Sequence, residues 1–161
     1  MTDNMKLEDK RLANIMITGM NPENKMGFKP FIWRNCYNVY VDELDEQHQH
    51  LMRLIRKMRA GVENQLDHQI QRYVLDELLD YIHYHFNTEE MLMADHQYPF
   101  SEIHKHQHDE FIFRIQEFRN DFCQGQAQTF KILGFLVNWL VDHFLVSDKE
   151  LGGYLNSKGI F

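Results

Sequence analysis

Only two cysteines and three prolines occur in 161 residues, and neither cysteine belongs to a C-x-x-C pair. Cys36 and Cys123 cannot build a disulfide framework, so the expected compartment is the reducing cytoplasm and both are expected as buried free thiols. Basic charge is also scarce. Seventeen Lys and Arg against twenty-four Asp and Glu leave a formal net charge of −7, which argues against nucleic acid or an anionic membrane as a partner. No apolar run approaches the ~20 residues of a membrane span; the best, ILGFLVNWLV at 132–141, is interrupted by Asn138. The opening MTDNMKLEDK lacks the basic start and apolar stretch of a secretory signal. No low-complexity tract or internal repeat stands out. The length is that of one domain able to bury a core. What the chain has in excess is histidine, ten in all.

Gly and Pro cluster at the front (Gly19, Pro22, Gly27, Pro30) and in short breaks at Gly61, Pro99, Gly125 and Gly152–Gly153. The intervening segments are rich in Leu, Met, Gln, Glu and Lys, and predict helices over 42–64, 68–94, 101–124 and 127–147. Each carries an apolar seam stepping by three or four residues. These seams are Leu44, His48, Leu51, Ile55, Met58, Val62; Leu75, Leu78, Ile82, His85, Glu89, Leu92; His104, His108, Phe111, Ile115, Phe118, Phe122; and Ile132, Leu136, Trp139, His143, Val146. Short connections make neighbours antiparallel, so the expected fold is an all-α, up-down-up-down four-helix bundle. Residues 1–32 are expected as an N-terminal extension to a domain spanning 33–161. Within the extension, K-L-E-D-K-R-L-A-N-I-M-I-T-G-M at 6–20 reads equally as a short helix or as a flexible tail.

Polar residues interrupt each seam towards one end: His48, His85 with Glu89, His104 with His108, and His143. One such histidine is most simply a core residue with a hydrogen-bond partner. Burying five imidazoles and a carboxylate without strong partners would cost several kcal/mol, against a domain stability of roughly 5–15 kcal/mol. The start of helix one, the end of two, the start of three and the end of four fall together in such a bundle, so these residues converge. A metal site is the economical explanation. In S-E-I-H-K-H-Q-H at 101–108 the helical period selects His104 and His108 as a pair and turns His106 outward. His106 with Glu110 then reads as solvated polar surface rather than a weak zinc site. His50 and His83 are likewise expected in solvent, His68 falls outside the seams, and His96 stands near the metal end.

Asp148 is a seventh candidate, but it follows His143 by five residues, about 140° round an ideal helix. Either an altered last turn or a long side-chain reach is required, and spacing alone does not select it over Asp142. Counting both carboxylates as bridges, with a further oxo or hydroxo bridge, two octahedral ions would keep one position open. Imidazole-rich N/O ligation suits iron, with zinc, manganese and cobalt as possible substitutes.

These residues match a known pattern. Trp33, V-x-x-L-D-E-Q-H-x-x-L at 41–51, H-F-x-x-E-E-x-L-M at 85–93, Y-P at 98–99, H-x-x-x-H at 104–108 and W-L-x-x-H-x-x-x-x-D at 139–148 resemble the hemerythrin family, in particular its bacterial members. The resemblance implies a non-haem di-iron centre. One iron would be held by His104, His108 and His143, the other by His48 and His85, with Glu89 and Asp148 as bridging carboxylates. It also implies reversible dioxygen binding in a pocket formed by Leu51, Phe86, Trp139, Leu140 and Phe144, whose simpler role is core packing. The expected function is that of an oxygen carrier, store or sensor rather than an enzyme. The competing readings are a di-iron oxidase or peroxidase, a nitric-oxide-handling protein, or an iron-storage bundle. Oxygen-activating ferritin-like sites use paired E-x-x-H motifs; this chain has none, only D-x-x-H at 45–48 and 80–83. The chain departs from the family where bacterial members often read V-G-I: Val39, Tyr40 and Val41 stand there, which bears on the lead-in to helix one.

Overall fold

A computed structural model describes residues 33–125 and 129–161. The 6–20 segment lies outside them. The described chain is helical: a 3-10 turn (Asn35–Tyr37), then α1 (Asp42–Glu63), α2 (His68–Asp95), α3 (Ser101–Cys123), α4 (Thr129–Leu145) and α5 (Ser147–Ser157). Among the described residues there is no strand, and no helix is long and apolar enough to cross a membrane.

The helix ends follow from local chemistry. Asp42, Glu43 and Asp45 load the first turn of α1 with negative charge, where the helix dipole favours it. Asp67 caps α2 by accepting the Gln69 N–H at 2.7 Å. α1 and α2 both stop in a left-handed residue that is not glycine, Gln65 (φ 51) and Gln97 (φ 54). In each, the next N–H turns back to the carbonyl five residues earlier, Leu66 to Gly61 at 2.9 Å and Tyr98 to Met93 at 2.9 Å.

Four predicted helices appear, their described ends within a residue or two of those expected; the expected start of the fourth, at 127, lies outside the described residues. A fifth, α5, was not anticipated, because Gly152–Gly153 read as a break; both glycines are helical. Gly61 likewise lies inside α1. The fourth seam ends one step early: Val146 is exposed and sits at φ −119, ψ −71, in the break between α4 and α5. Cys36 is half-buried and Cys123 exposed, so neither is the buried thiol that composition suggested.

The core is split. A large apolar cluster runs from Leu51 and Phe86 through Leu78, Ile82, Phe111 and Ile132 to Leu140 and Phe144. A small one gathers Val39, Val41, Leu44, Met93, Tyr98, Leu151 and Leu155. His48 falls between Leu44 and Leu51 on α1, and Glu89 between Phe86 and Met93 on α2. The polar residues thus form a layer between two apolar clusters, towards one end of the helices.

Candidate metal centre

All seven candidate ligands are buried, with His48, His85, Glu89 and Asp148 at 0% exposure. They come from the start of α1 (His48), the end of α2 (His85, Glu89), the start of α3 (His104, His108), the end of α4 (His143) and the first turn of α5 (Asp148). Asp148 gets there by the altered turn: α4 ends at Leu145, the chain bends at Val146, and α5 restarts with a new face inward.

The donor atoms form two groups that share Glu89. One is Glu89, His104, His108 and His143; the other is His48, His85, Glu89 and Asp148. In the first, His143 Nε2 lies 3.0 Å from His104 Nε2 and 3.1 Å from His108 Nε2. Metal–nitrogen bonds of about 2.1 Å at right angles would put nitrogens about 3.0 Å apart, so His143 is spaced from both His104 and His108 as neighbouring ligands of one ion would be. In the second, His48 Nε2 is 3.1 Å from Asp148 Oδ2 and His85 Nε2 is 3.7 Å from Glu89 Oε1.

The carboxylates face both ways. Glu89 turns Oε2 to His108 (3.1 Å) and His104 (3.4 Å), and Oε1 to His85. Asp148 turns Oδ1 to His143 (3.0 Å) and His104 (3.3 Å), and Oδ2 to His48. Despite these short separations, both oxygens of Glu89, both of Asp148, and Nε2 of His48 and His85 make no well-directed hydrogen bond. They point at common centres rather than at one another. Buried polar atoms left in that condition are costly, and cations between them would satisfy all six.

Electrostatics agree. Burial and the neighbouring Asp148 oppose ionisation of Glu89, but His85, His104 and His108 outweigh them and hold its carboxyl well below the usual range. Burial also opposes ionisation of Asp148, and His143, His104 and His48 overcome it. Burial pushes His85 down to about 4 and lowers His143. His104 also loses solvent, yet its close contacts with Asp148 and Glu89 raise it to about 10. The site keeps two anions, and a metal bound there would compete with the His104 proton.

Outer contacts set which imidazole nitrogen faces inward. Gln47 is buried; its Oε1 accepts from His85 Nδ1 at 3.0 Å while its amide donates to Thr88 Oγ1 at 3.2 Å. Glu90 accepts from His108 Nδ1 at 3.2 Å and pairs with Lys105 at 3.3 Å. Neither residue lies on an apolar seam, so the helical period does not single it out. The available signal was adjacency: Gln47 directly precedes His48, and Glu90 directly follows Glu89. Aromatic rings cover the outer faces. Phe86 stacks on His108 (centroids 3.7 Å apart), Phe144 on His48 (3.9 Å) and Trp139 on His143 (4.3 Å). Leu51 and Leu140 are buried in the same large cluster.

The other histidines stay out of both groups. His68, His83 and His106 are exposed and His96 is half-buried. His50 is half-buried too, stacked on Tyr81 with centroids 4.1 Å apart. Asp142, the other candidate for the last carboxylate, is exposed.

The lead-in to α1 explains the D-E-Q-H run. Asp45 reaches back to accept the N–H groups of Val39 (2.8 Å) and Tyr40 (3.1 Å), Gln47 orients His85, and His48 enters the centre. Tyr40, the middle residue of the Val39-Tyr40-Val41 lead-in, keeps a left-handed φ of 60.

Residues 39–155 match the family model described as Hemerythrin HHE cation binding domain. Bacteriohemerythrin of Pseudomonas aeruginosa is 31% identical over 142 residues, covering 78% of this chain and 92% of that protein. A hemerythrin-like protein of Naegleria gruberi is 33% identical over 126 residues, covering 78% and 94%. The crystal structure of wild-type hemerythrin superposes with a TM-score of 0.68 at 25% identity, covering 82% of this chain and 98% of that one.

Proposed function

Since this chain belongs to the hemerythrin family, we propose that it binds dioxygen reversibly at a non-haem di-iron centre, as an oxygen carrier, store or sensor rather than an enzyme. In this reading His104, His108 and His143 hold one iron, His48 and His85 hold the other, and Glu89 and Asp148 bridge them. The observation that carries it is the two-way orientation of both carboxylates, one oxygen to the histidine trio and the other to the histidine pair.

Two iron ions with a bridging oxo or hydroxo ligand would supply the electrons and the open position for dioxygen. The protein's part is positional. Gln47 and Glu90 hold the Nδ1 hydrogens of His85 and His108 outward, leaving the Nε2 lone pairs for metal. Glu89 and Asp148 stay ionised in a buried site and offset the cationic charge. With three imidazoles on one side and two on the other, an open position would fall on the His48/His85 side. Leu51, Phe86, Trp139, Leu140 and Phe144 form the pocket, and their apolar surfaces keep water away from the centre.

The convergence of a helix start, an end, a start and an end supports an antiparallel, up-down-up-down course, and the family match over 39–155 supports a domain at 33–161 with 1–32 as an extension. Composition supports a cytoplasmic location. The test is the optical spectrum of the iron-loaded protein. Anaerobic reduction followed by air should raise a charge-transfer band that disappears on deoxygenation. Iron-loaded protein with no reversible, oxygen-dependent change would refute the function, and steady substrate turnover would move it to the oxidase class.

A further inference from the structure

Asp148 is the one candidate ligand outside the four long helices, so something other than bundle packing must set its reach. α5 carries Asp148, Gly152 and Asn156 at intervals of four, one stripe along one face. Gly152 lies against the turn before α1: a Cβ built there would collide with the Val39 carbonyl oxygen and lie 2.8 Å from Val39 Cβ. A Cβ on Gly153, the next residue, would meet nothing within 4 Å. One turn further on, Asn156 Nδ2 donates to the Tyr40 carbonyl at 2.7 Å. That turn is itself tied to α1 by Asp45, three residues before His48. The path from Asp148 along α5, across to residues 39–40 and back through Asp45 ends at His48, whose Nε2 is 3.1 Å from Asp148 Oδ2.

We propose that Gly152 is a positioning residue for the centre: its missing side chain fixes how closely α5 seats on the 39–40 turn, and so how far the Asp148 carboxylate extends between the histidine trio and the histidine pair. The role rests on the di-iron reading. Gly152 is about 6 Å along the helix from Asp148, so a shift forced at Gly152 passes to the carboxylate nearly undiminished. Metal–ligand distances hold to within about 0.2 Å, well under the displacement an added methyl would impose. Glu89, on α2, would not follow.

Anaerobic titration of the metal-free full-length protein with ferrous iron tests this, with far-UV circular dichroism to follow helix content. Wild type and Gly153→Ala are expected to take up two ions per chain with equal affinity. Gly152→Ala, with the same gain in helix propensity, is expected to bind at least one of the two ions about 10- to 100-fold more weakly, the usual loss when an outer support is removed. Equal uptake by Gly152→Ala and Gly153→Ala would overturn the positioning role alone. Failure of wild type and Gly153→Ala to bind two ions would overturn the di-iron reading and this role with it. Should Gly152→Ala lose its helical signal, Asn156→Ala decides the matter. It removes the tie without adding an atom: weakened iron binding with helix content intact supports the role, and unchanged binding refutes it.

Discussion

Gln47 Oε1 lies 3.0 Å from His85 Nδ1, across 38 residues of sequence and between two helices. The contact assigns the imidazole hydrogen to Nδ1, because the Gln47 amide nitrogen is already committed to Thr88 Oγ1 and the Thr88 hydroxyl donates to the Tyr84 carbonyl at 3.1 Å. Replacing Gln47 by leucine keeps the volume and deletes the acceptor. Iron affinity at the His85 side is expected to fall about 10- to 100-fold, measured by anaerobic titration, with the helical circular dichroism signal retained.

His106 and His108 provide a sharper contrast. His108 is buried under Phe86, whereas His106 is exposed and lies 3.8 Å from Glu110 on the outer face. His108→Ala should abolish tight binding of two irons per chain, and His106→Ala should leave it intact. Metal analysis after gel filtration would distinguish them, and equal losses would contradict the assignment of faces.

The buried histidines predict a bell-shaped pH dependence for the metal-free protein. His85 is held at about 4 in the folded state, below the 6.5 of an unfolded chain. Its contribution is therefore intact above 6.5 and lost as pH falls towards 4. His143 is shifted in the same direction, and the depressed Glu89 and Asp148 add to the loss at lower pH still. His104, raised to about 10, behaves oppositely, with its contribution intact below 6.5 and lost as pH climbs towards 10. Thermal melts across pH should therefore peak near 6.5. In the iron-loaded protein metal replaces the His104 proton, and the alkaline limb should flatten.

Tyr40 occupies a left-handed conformation and is 61% exposed. Such a φ costs a non-glycine residue about 1 kcal/mol or more, and an exposed ring returns little packing. Part of the relief on substitution is offset by the greater freedom of glycine in the unfolded chain. Tyr40→Gly should therefore stabilise the protein by up to about 1 kcal/mol, read as a higher urea midpoint with unchanged slope.

The four long helices were legible because their seams are long and regular, and Leu44 to Met58 or Leu75 to Glu89 needed only the helical period. His48, His85, Glu89, His104, His108 and His143 stood out as polar residues at apolar positions. Asp148 was different. Its place depends on the bend at Val146, and a one-residue break leaves almost no trace in a hydrophobic pattern. α5 was hidden by Gly152, which is there to let a helix approach a neighbouring backbone, not to end one. Gln47 and Glu90 escaped because a hydrogen bond to the far side of an imidazole has no periodic signature.

The polar layer between the two apolar clusters also divides the molecule mechanically. The smaller cluster, built from residues 39–44, the end of α2 and α5, meets the larger across a stratum of buried groups with unmet polar valences. Without ions, that stratum is a fault line. The small cap should open as a unit of its own, its amides exchanging hydrogen well before those of Leu78 or Ile82. With ions bound across the stratum, the two blocks are riveted together and should exchange as one cooperative body, so that occupancy of the centre is registered in the backbone far from any ligand.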